Sequence, residues 1–172
     1  MTRDDELERD FEARITECSR LAFRVAYGVL RHREDAEDVA QEAFAKAYRS
    51  FSQLRDRDRF RAWLVRMTWR LAIDWQRSRK RRATREEQVE PEATVSGDPV
   101  QARERAEFLW RAIDQLSDKL RLVIVLAAID GHDIAEVAAL LELPEGTVKS
   151  RLFSARQQLK ERLSWMAQDQ TR

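Results

Sequence analysis

A chain of 172 residues, 43% hydrophobic and 37% charged, can build one medium domain or two small ones. Four glycines and three prolines among abundant Ala, Leu, Arg and Glu point to an all-α protein. The net charge of +1 argues against a nucleic-acid partner only until its distribution is read. Glu34 to Glu42 holds five acids and no base, whereas Arg55 to Arg82 holds eleven bases against Asp56, Asp58 and Asp74. Two binding faces of opposite sign cancel in the sum.

Other classes are disfavoured by what the chain lacks. Cys18 is the sole cysteine, so no intrachain disulfide forms, and its place on an apolar helical stripe predicts a buried thiol. With His32 and His132 the only histidines, a zinc site is not expected, nor any other metal or cofactor. There is no glycine-rich phosphate loop and no nucleophile–base pair, so no catalytic residue is assigned and an enzyme is the weakest class. No apolar run approaches about 18 residues and the N-terminus is too polar for a signal peptide. The expectation is a soluble, cytoplasmic protein without direct membrane insertion.

Leu7, Phe11, Ile15, Cys18, Ala22, Val25 and Val29 repeat every three or four residues and predict a first long helix. Arg31, His32 and Arg33 place positive charge at its end, favourable for the helix dipole. A second helix, about Asp35 to Phe51, buries Val39, Ala43, Ala47 and Phe51. Its acids suit the positive end of the dipole but exceed what a cap needs, which suggests a partner surface.

Phe51 to Phe60 breaks the periodicity and reads as a loop; a third helix follows from about Phe60 to Arg82 with Phe60, Leu64, Met67 and Leu71 inward. Trp63, Trp69 and Trp75 recur every six residues, which at about 100° per residue sets them on three faces. At least one is expected at a surface, as a stacking platform for unpaired bases. The helix ends in a run of cations suited to phosphate.

Residues 83–104 carry Pro91, Gly97, Pro99 and no apolar period, and read as a flexible linker. At about 3.3 Å per residue it reaches up to roughly 70 Å. Beyond it, Ala106, Leu109, Trp110, Ile113 and Leu116 mark an amphipathic helix, and Asp118 to Asp130 is the apolar centre of a second domain.

The stretch Gly131 to Leu163 reads as two helices joined by a tight turn. Asp133 and Glu136 form a capping-box signal, and Ile134, Val137, Ala138, Leu140 and Leu141 give the first helix one buried face. Leu143 to Gly146 stops it, and Pro144 suits the start of the next helix. That helix buries Val148, Leu152, Ala155, Leu159 and Leu163, and presents Thr147, Lys149, Ser150, Arg151, Ser154 and Arg156. Hydroxyls and cations at a helix start are what a major groove accepts, and a short turn between an alanine-rich helix and a basic one favours a helix-turn-helix over an ordinary helical hairpin with one solvated helix.

Taken together, DAEDVAQEAFAKAYRSF (35–51), RFRAWLVRMTWRLAIDWQRSRKRR (59–82) and LPEGTVKSRLFSARQQLKERL (143–163) resemble the core-binding, promoter-melting and minus-thirty-five helices of extracytoplasmic-function (ECF) sigma factors. The resemblance spans Phe11 to Leu163. It implies a region 2-like domain over 1–82, the linker over 83–104 and a region 4-like domain over 105–172. It implies that Asp35, Asp38, Gln41 and Glu42 face core RNA polymerase. Lys46, Arg66 and the loop before Phe60 would hold the displaced minus-ten strand with a base flipped out, and the residue types themselves add Arg59, Trp63, Trp69 and Arg70 as expected minus-ten contacts. Thr147, Lys149, Ser150, Arg151, Ser154 and Arg156 would enter the duplex at the minus-thirty-five element. The implied partners are core polymerase, promoter DNA both duplex and single-stranded, and an anti-sigma factor. Arg70 stands where the family usually has an asparagine that helps read the minus-ten element, and Asp133 where many members have serine or threonine. The alternative is a regulator of response-regulator type, which explains 131–163 but not the tryptophan-rich basic helix.

Overall fold

The computed structural model describes residues 3–83 and 100–169, helical throughout apart from short connections and without a strand among them. Its helices are α1 (Arg3–Leu30), α2 (Arg33–Ser50), α3 (Phe60–Ala83), α4 (Val100–Asp114), α5 (Asp118–Ile124), α6 (Ile134–Leu141) and α7 (Glu145–Asp169). They fall into two units, built on α1–α3 and on α4–α7. The chain is all-α, as its composition predicts. Helix α4 opens at Val100, inside the stretch read as linker, while 84–99 lie outside the described residues.

In the first unit each of the three helices packs on the other two. Small residues let them approach closely: α2 turns Ala36, Val39, Ala40, Ala43 and Ala47 inward, against Ala22, Val25, Ala26 and Val29 of α1 and Leu64, Val65 and Ala72 of α3. At one end Phe11, Phe51 and Phe60 meet edge to face, with ring centroids 5.0, 5.6 and 5.9 Å apart. Such pairs add about 0.5–1.5 kcal/mol each beyond the area they bury. Leu7 and Ile15 only flank this core. Cys18 is buried, and burial raises its thiol pKa above the ordinary range, which keeps it protonated.

Helix α1 stops by backbone geometry rather than by charge. Arg31 sits at φ 53 and its N–H still reaches Tyr27 O, while Gln76 of α3 donates to Val29 O at 3.1 Å. His32 then caps α2, its Nδ1 accepting from the Asp35 N–H at 3.3 Å. Periodicity places His32 only among the cations at the C-terminal end of α1; its ring in fact starts the next helix.

In the second unit α7 packs on α4 and α5. Ile113, Leu116, Val123, Ile124, Val125, Leu126, Val137, Val148, Leu152 and Leu159 form its interior. The apolar stretch after Leu122 does not stay α-helical: Val125–Ile129 widens into a π turn. Asp130 N–H reaches back to Val125 O and His132 N–H to Leu126 O, with Gly131 at φ 78. That left-handed conformation is why glycine stands there. Arg121, buried on α5, donates to Asp114 O at 2.8 Å and so fastens the end of α4.

The capping box is present in both directions. Glu136 N–H donates to Asp133 Oδ1 at 2.8 Å, and Asp133 N–H to Glu136 Oε2 at 2.9 Å. A cap of this kind stabilises a helix by about 1 kcal/mol. Helix α6 ends with Glu142 at φ 53 and Leu143 N–H bonded to Ala138 O; Pro144 O then accepts from Thr147 and Val148, starting α7. A three-residue connection, Glu142 to Pro144, thus leads from α6 into α7.

Candidate polymerase and nucleic-acid interfaces

The alanine face of α2 fixes what its other side presents. At about 100° per residue, Asp38, Gln41 and Glu42 lie opposite Ala36, Ala40, Ala43 and Ala47, and all three are exposed. Asp35 belongs to the flank. Its carboxylate accepts from Arg79 of α3 at 2.6 Å and lies 3.5 Å from His32 Nδ1. The structure therefore commits Asp35 to joining α2 and α3. Lys46 pairs with Glu42 at 2.9 Å, one helical turn along.

On α3 the same geometry sorts the tryptophans and arginines. Trp63, Arg66, Arg70 and Arg77 follow one another at three, four and seven residues and so form one stripe. Arg70 and Arg77 are exposed, Trp63 and Arg66 half-buried, and Trp63 rests against Phe60 at 6.0 Å between centroids. Trp69 is the correction. Its indole is 6% exposed, because it shares a face with the buried Val65, Ala72 and Ile73. It packs in the core and leaves little of its ring to a base. Of the three tryptophans of α3, Trp75, 39% exposed, is the nearest to a free surface, but it lies off the arginine stripe.

The segment between α2 and α3 is more ordered than its sequence suggests. It contains two short 3₁₀ turns, Phe51–Gln53 and Arg57–Arg59, the second capped by Asp56, whose Oδ1 accepts from Asp58 N–H at 3.1 Å. Asp10 of α1 accepts from Arg57 Nη1 at 2.5 Å and from Arg14 Nε at 2.9 Å, and Arg14 Nη1 donates to Arg57 O at 2.6 Å. The Arg57 guanidinium lies 4.6 Å from the Phe51 ring centre. Three groups so clasp Arg57 against α1, while Arg55 and Arg59 remain exposed.

The Arg57 hydrogen bond, aided by Arg14 and opposed by partial burial, holds the Asp10 carboxyl below its ordinary 3.8. A carboxylate with a lowered folded-state pKa stabilises above its unfolded value and loses that contribution as pH falls through the folded one. The stability excess of the wild type over Asp10→Asn, measured by urea unfolding, should accordingly hold near neutrality and shrink below about pH 3.8. An excess that stays constant down to full protonation would show that the ion pairs contribute nothing.

Helix α7 turns Val148, Leu152, Ala155 and Leu159 into the core. Lys149, Ser150, Ser154 and Arg156 are exposed, with Thr147 and Arg151 half-buried at the margin. Lys149 lies 3.4 Å from Glu145, and Ser150 Oγ donates to Thr147 O at 3.0 Å. The sequence reading missed Phe153, which is 67% exposed at the centre of this face. A large apolar side chain between polar ones on an exposed helical face was the available signal.

Residues 15–82 match the family description "Sigma-70 region 2", and residues 107–159 match "Sigma-70, region 4". The ECF RNA polymerase sigma factor SigW of Bacillus subtilis (strain 168) is 31% identical, the alignment covering 82% of each chain. This chain belongs to the ECF sigma factors. The ECF RNA polymerase sigma-E factor of Escherichia coli (strain K12) is 33% identical over 72% of this chain and 71% of its own. Among solved structures, CnrH in complex with the cytosolic domain of CnrY superposes with a TM-score of 0.60 at 26% identity, covering 91% of this chain and 89% of that one. The sigma factor RpoE from Bartonella quintana, solved with the anti-sigma factor NepR, gives 0.63 at 23%, covering 91% and 98%, a likeness of fold.

As a sigma factor the chain binds core RNA polymerase, directs it to promoters and helps melt the minus-ten element. The region 2 match removes the response-regulator alternative, which had no place for α1–α3. Among the described residues no helix is long and apolar enough to cross a membrane, and no cluster of His, Cys, Asp or Glu is fit to hold a metal ion.

Proposed function

We propose that the family function is divided among three surfaces of this chain. The outward face of α2, with Asp38, Gln41 and Glu42, takes core polymerase, and Asp35 supports it by joining α2 to α3. The stripe of Trp63, Arg66 and Arg70, with Lys46, Arg59 and the exposed part of the 52–59 loop, takes the displaced minus-ten strand. The face of α7 with Thr147, Lys149, Ser150, Phe153, Ser154 and Arg156, flanked by Arg151, takes the minus-thirty-five duplex. The observation that supports this reading is the stripe on α3, where Trp63, Arg66, Arg70 and Arg77 share one face away from the buried Leu64, Val65, Thr68 and Ala72.

No step in it is enzymatic: opening is driven by binding the separated strand more tightly than the duplex, with stacking worth about 1–3 kcal/mol per base. Residues 1–82 form the polymerase and minus-ten domain and 105–172 the minus-thirty-five domain, joined by the linker over 83–104. The protein works in the cytoplasm, where core polymerase is, and is held inactive by an anti-sigma factor. CnrH, solved with the cytosolic domain of CnrY, sets the precedent for a protein partner on this fold. The test is transcription by core polymerase with and without this chain, with transcripts from genomic DNA sequenced. Promoter-specific starts that need both components support the reading; a duplex footprint by the chain alone, unchanged by core, contradicts it.

Within this division Lys149→Ala and Arg151→Ala should weaken promoter recognition and leave core binding intact. A lost phosphate contact lowers affinity on all sequences, whereas a lost bidentate base contact costs about 1–3 kcal/mol at one position. Binding of holoenzyme to duplexes varied through the upstream element separates the two. Unaltered binding by both variants would displace α7 from the groove.

A further inference from the structure

Three arginines alternate through the loop between α2 and α3, and they do not share one fate. Arg55 and Arg59 are exposed, whereas Arg57 is tied to Asp10 at 2.5 Å, lies over Phe51 and has its carbonyl held by Arg14. Both anchoring residues precede the segment, 15–82, that matches region 2. The clasp is therefore contributed by a part of α1 outside the matched region.

We propose that Asp10, with Arg14, is a positioning residue for promoter opening. It fixes the 52–59 loop in its strand-receiving form before DNA arrives, and keeps Arg57 out of the strand's path. This rests on the reading above that the loop and α3 take the displaced strand. The argument is one of preorganisation. A loop ordered in advance loses less freedom when a flexible strand binds it, so more of the contact energy appears as affinity. It is also one of selectivity. A released Arg57 would add a mobile cation beside Arg55 and Arg59, and a mobile cation attracts any phosphate backbone without regard to sequence. Neutralising it at Asp10 leaves the strand to residues with defined positions.

Discrimination should thus suffer more than bulk binding when the clasp is cut. The experiment uses holoenzyme reconstituted from core polymerase and the full chain. Wild-type holoenzyme first selects a minus-ten sequence from a randomised single-stranded library. Affinity is then measured for that oligonucleotide and a scrambled one, with Asp10→Ala, Asp10→Glu, Arg57→Gln and Arg59→Ala. Circular dichroism checks that each variant is folded at the assay temperature.

Asp10→Ala should lower the ratio of selected to scrambled affinity by about tenfold, equivalent to about 1.4 kcal/mol. Asp10→Glu, which keeps the carboxylate, should restore most of it. Arg57→Gln, which cuts the clasp from the loop side, stands in if Asp10→Ala does not fold, and should also lower the ratio. A ratio unmoved by Asp10→Ala and Arg57→Gln, in an enzyme where Arg59→Ala lowers it, overturns the positioning role and leaves the loop assignment standing. A ratio unmoved by Arg59→Ala as well means the loop does not receive the strand, and both readings fall.

Discussion

Reversing Asp38 and Glu42 to lysine should abolish holoenzyme formation. Both carboxylates stand on the α2 face opposite its buried alanines, so neither supports the interior of the first unit. Breaking a desolvated charge pair across an interface costs roughly 2–5 kcal/mol, and two reversals replace attraction with repulsion. The cost to the free protein is small. Glu42 gives up its pairing with Lys46 across one helical turn, an interaction of about 0.3–0.5 kcal/mol at a surface. The measurement is co-purification with core polymerase, alongside helicity and urea unfolding of the free variant. Asp35→Asn is the informative comparison. It removes the charge that holds Arg79 and weakens the tie between α2 and α3, so it should lower stability while only weakening assembly. Undiminished co-purification of the double variant would mean that the acids serve the helix dipole alone.

The difference between Asp35 and Asp38 marks where the sequence stops being sufficient. Periodicity identified the helices because each has a continuous apolar stripe, and that stripe sets which side faces inward. It also marks the two helices of the 131–163 stretch: the Asp133–Glu136 capping box forms, while the connection falls at Glu142–Pro144, a residue earlier than the Leu143–Gly146 stop read from the sequence, and α7 already begins at Glu145. What periodicity does not carry is which charged side chain meets which across the bundle. The Asp35–Arg79 pair joins residues on two helices, and the Asp10–Arg57 pair joins the first helix to a loop. Nothing in the spacing of either residue announces it. The π turn at Val125–Ile129 is likewise not announced by the spacing of its residues. Trp69 is buried for a plainer reason. The buried face of α3 is wider than the narrow stripe of Phe60, Leu64, Met67 and Leu71 read from the sequence, and extends through Val65, Trp69 and Ile73.

That width separates Trp69 from its neighbour Arg70, and the two should behave differently. Trp69→Ala removes a side chain only 6% exposed, and a large-to-small change of this kind costs about 3–5 kcal/mol through lost burial and the cavity left behind. A loss that size consumes much of the stability of a small helical unit. The variant should unfold at markedly lower urea, and any transcription defect should persist on a template already melted at the minus-ten element. Arg70→Asn changes an exposed residue on the stripe shared with Trp63 and Arg66, so its unfolding curve should overlay that of the wild type. Its effect should fall on base preference. A guanidinium donates two parallel hydrogen bonds to a guanine edge or stacks on a base, whereas the shorter amide both donates and accepts. Transcription from promoters randomised across the minus-ten element reads the preference directly, and a loss of one bidentate contact should shift the favoured base by about 1–3 kcal/mol. An unchanged preference in the Arg70→Asn enzyme would remove Arg70 from the reading surface. Rescue of a fully folded Trp69→Ala by pre-melting would place its indole against the strand, contrary to its position in the core.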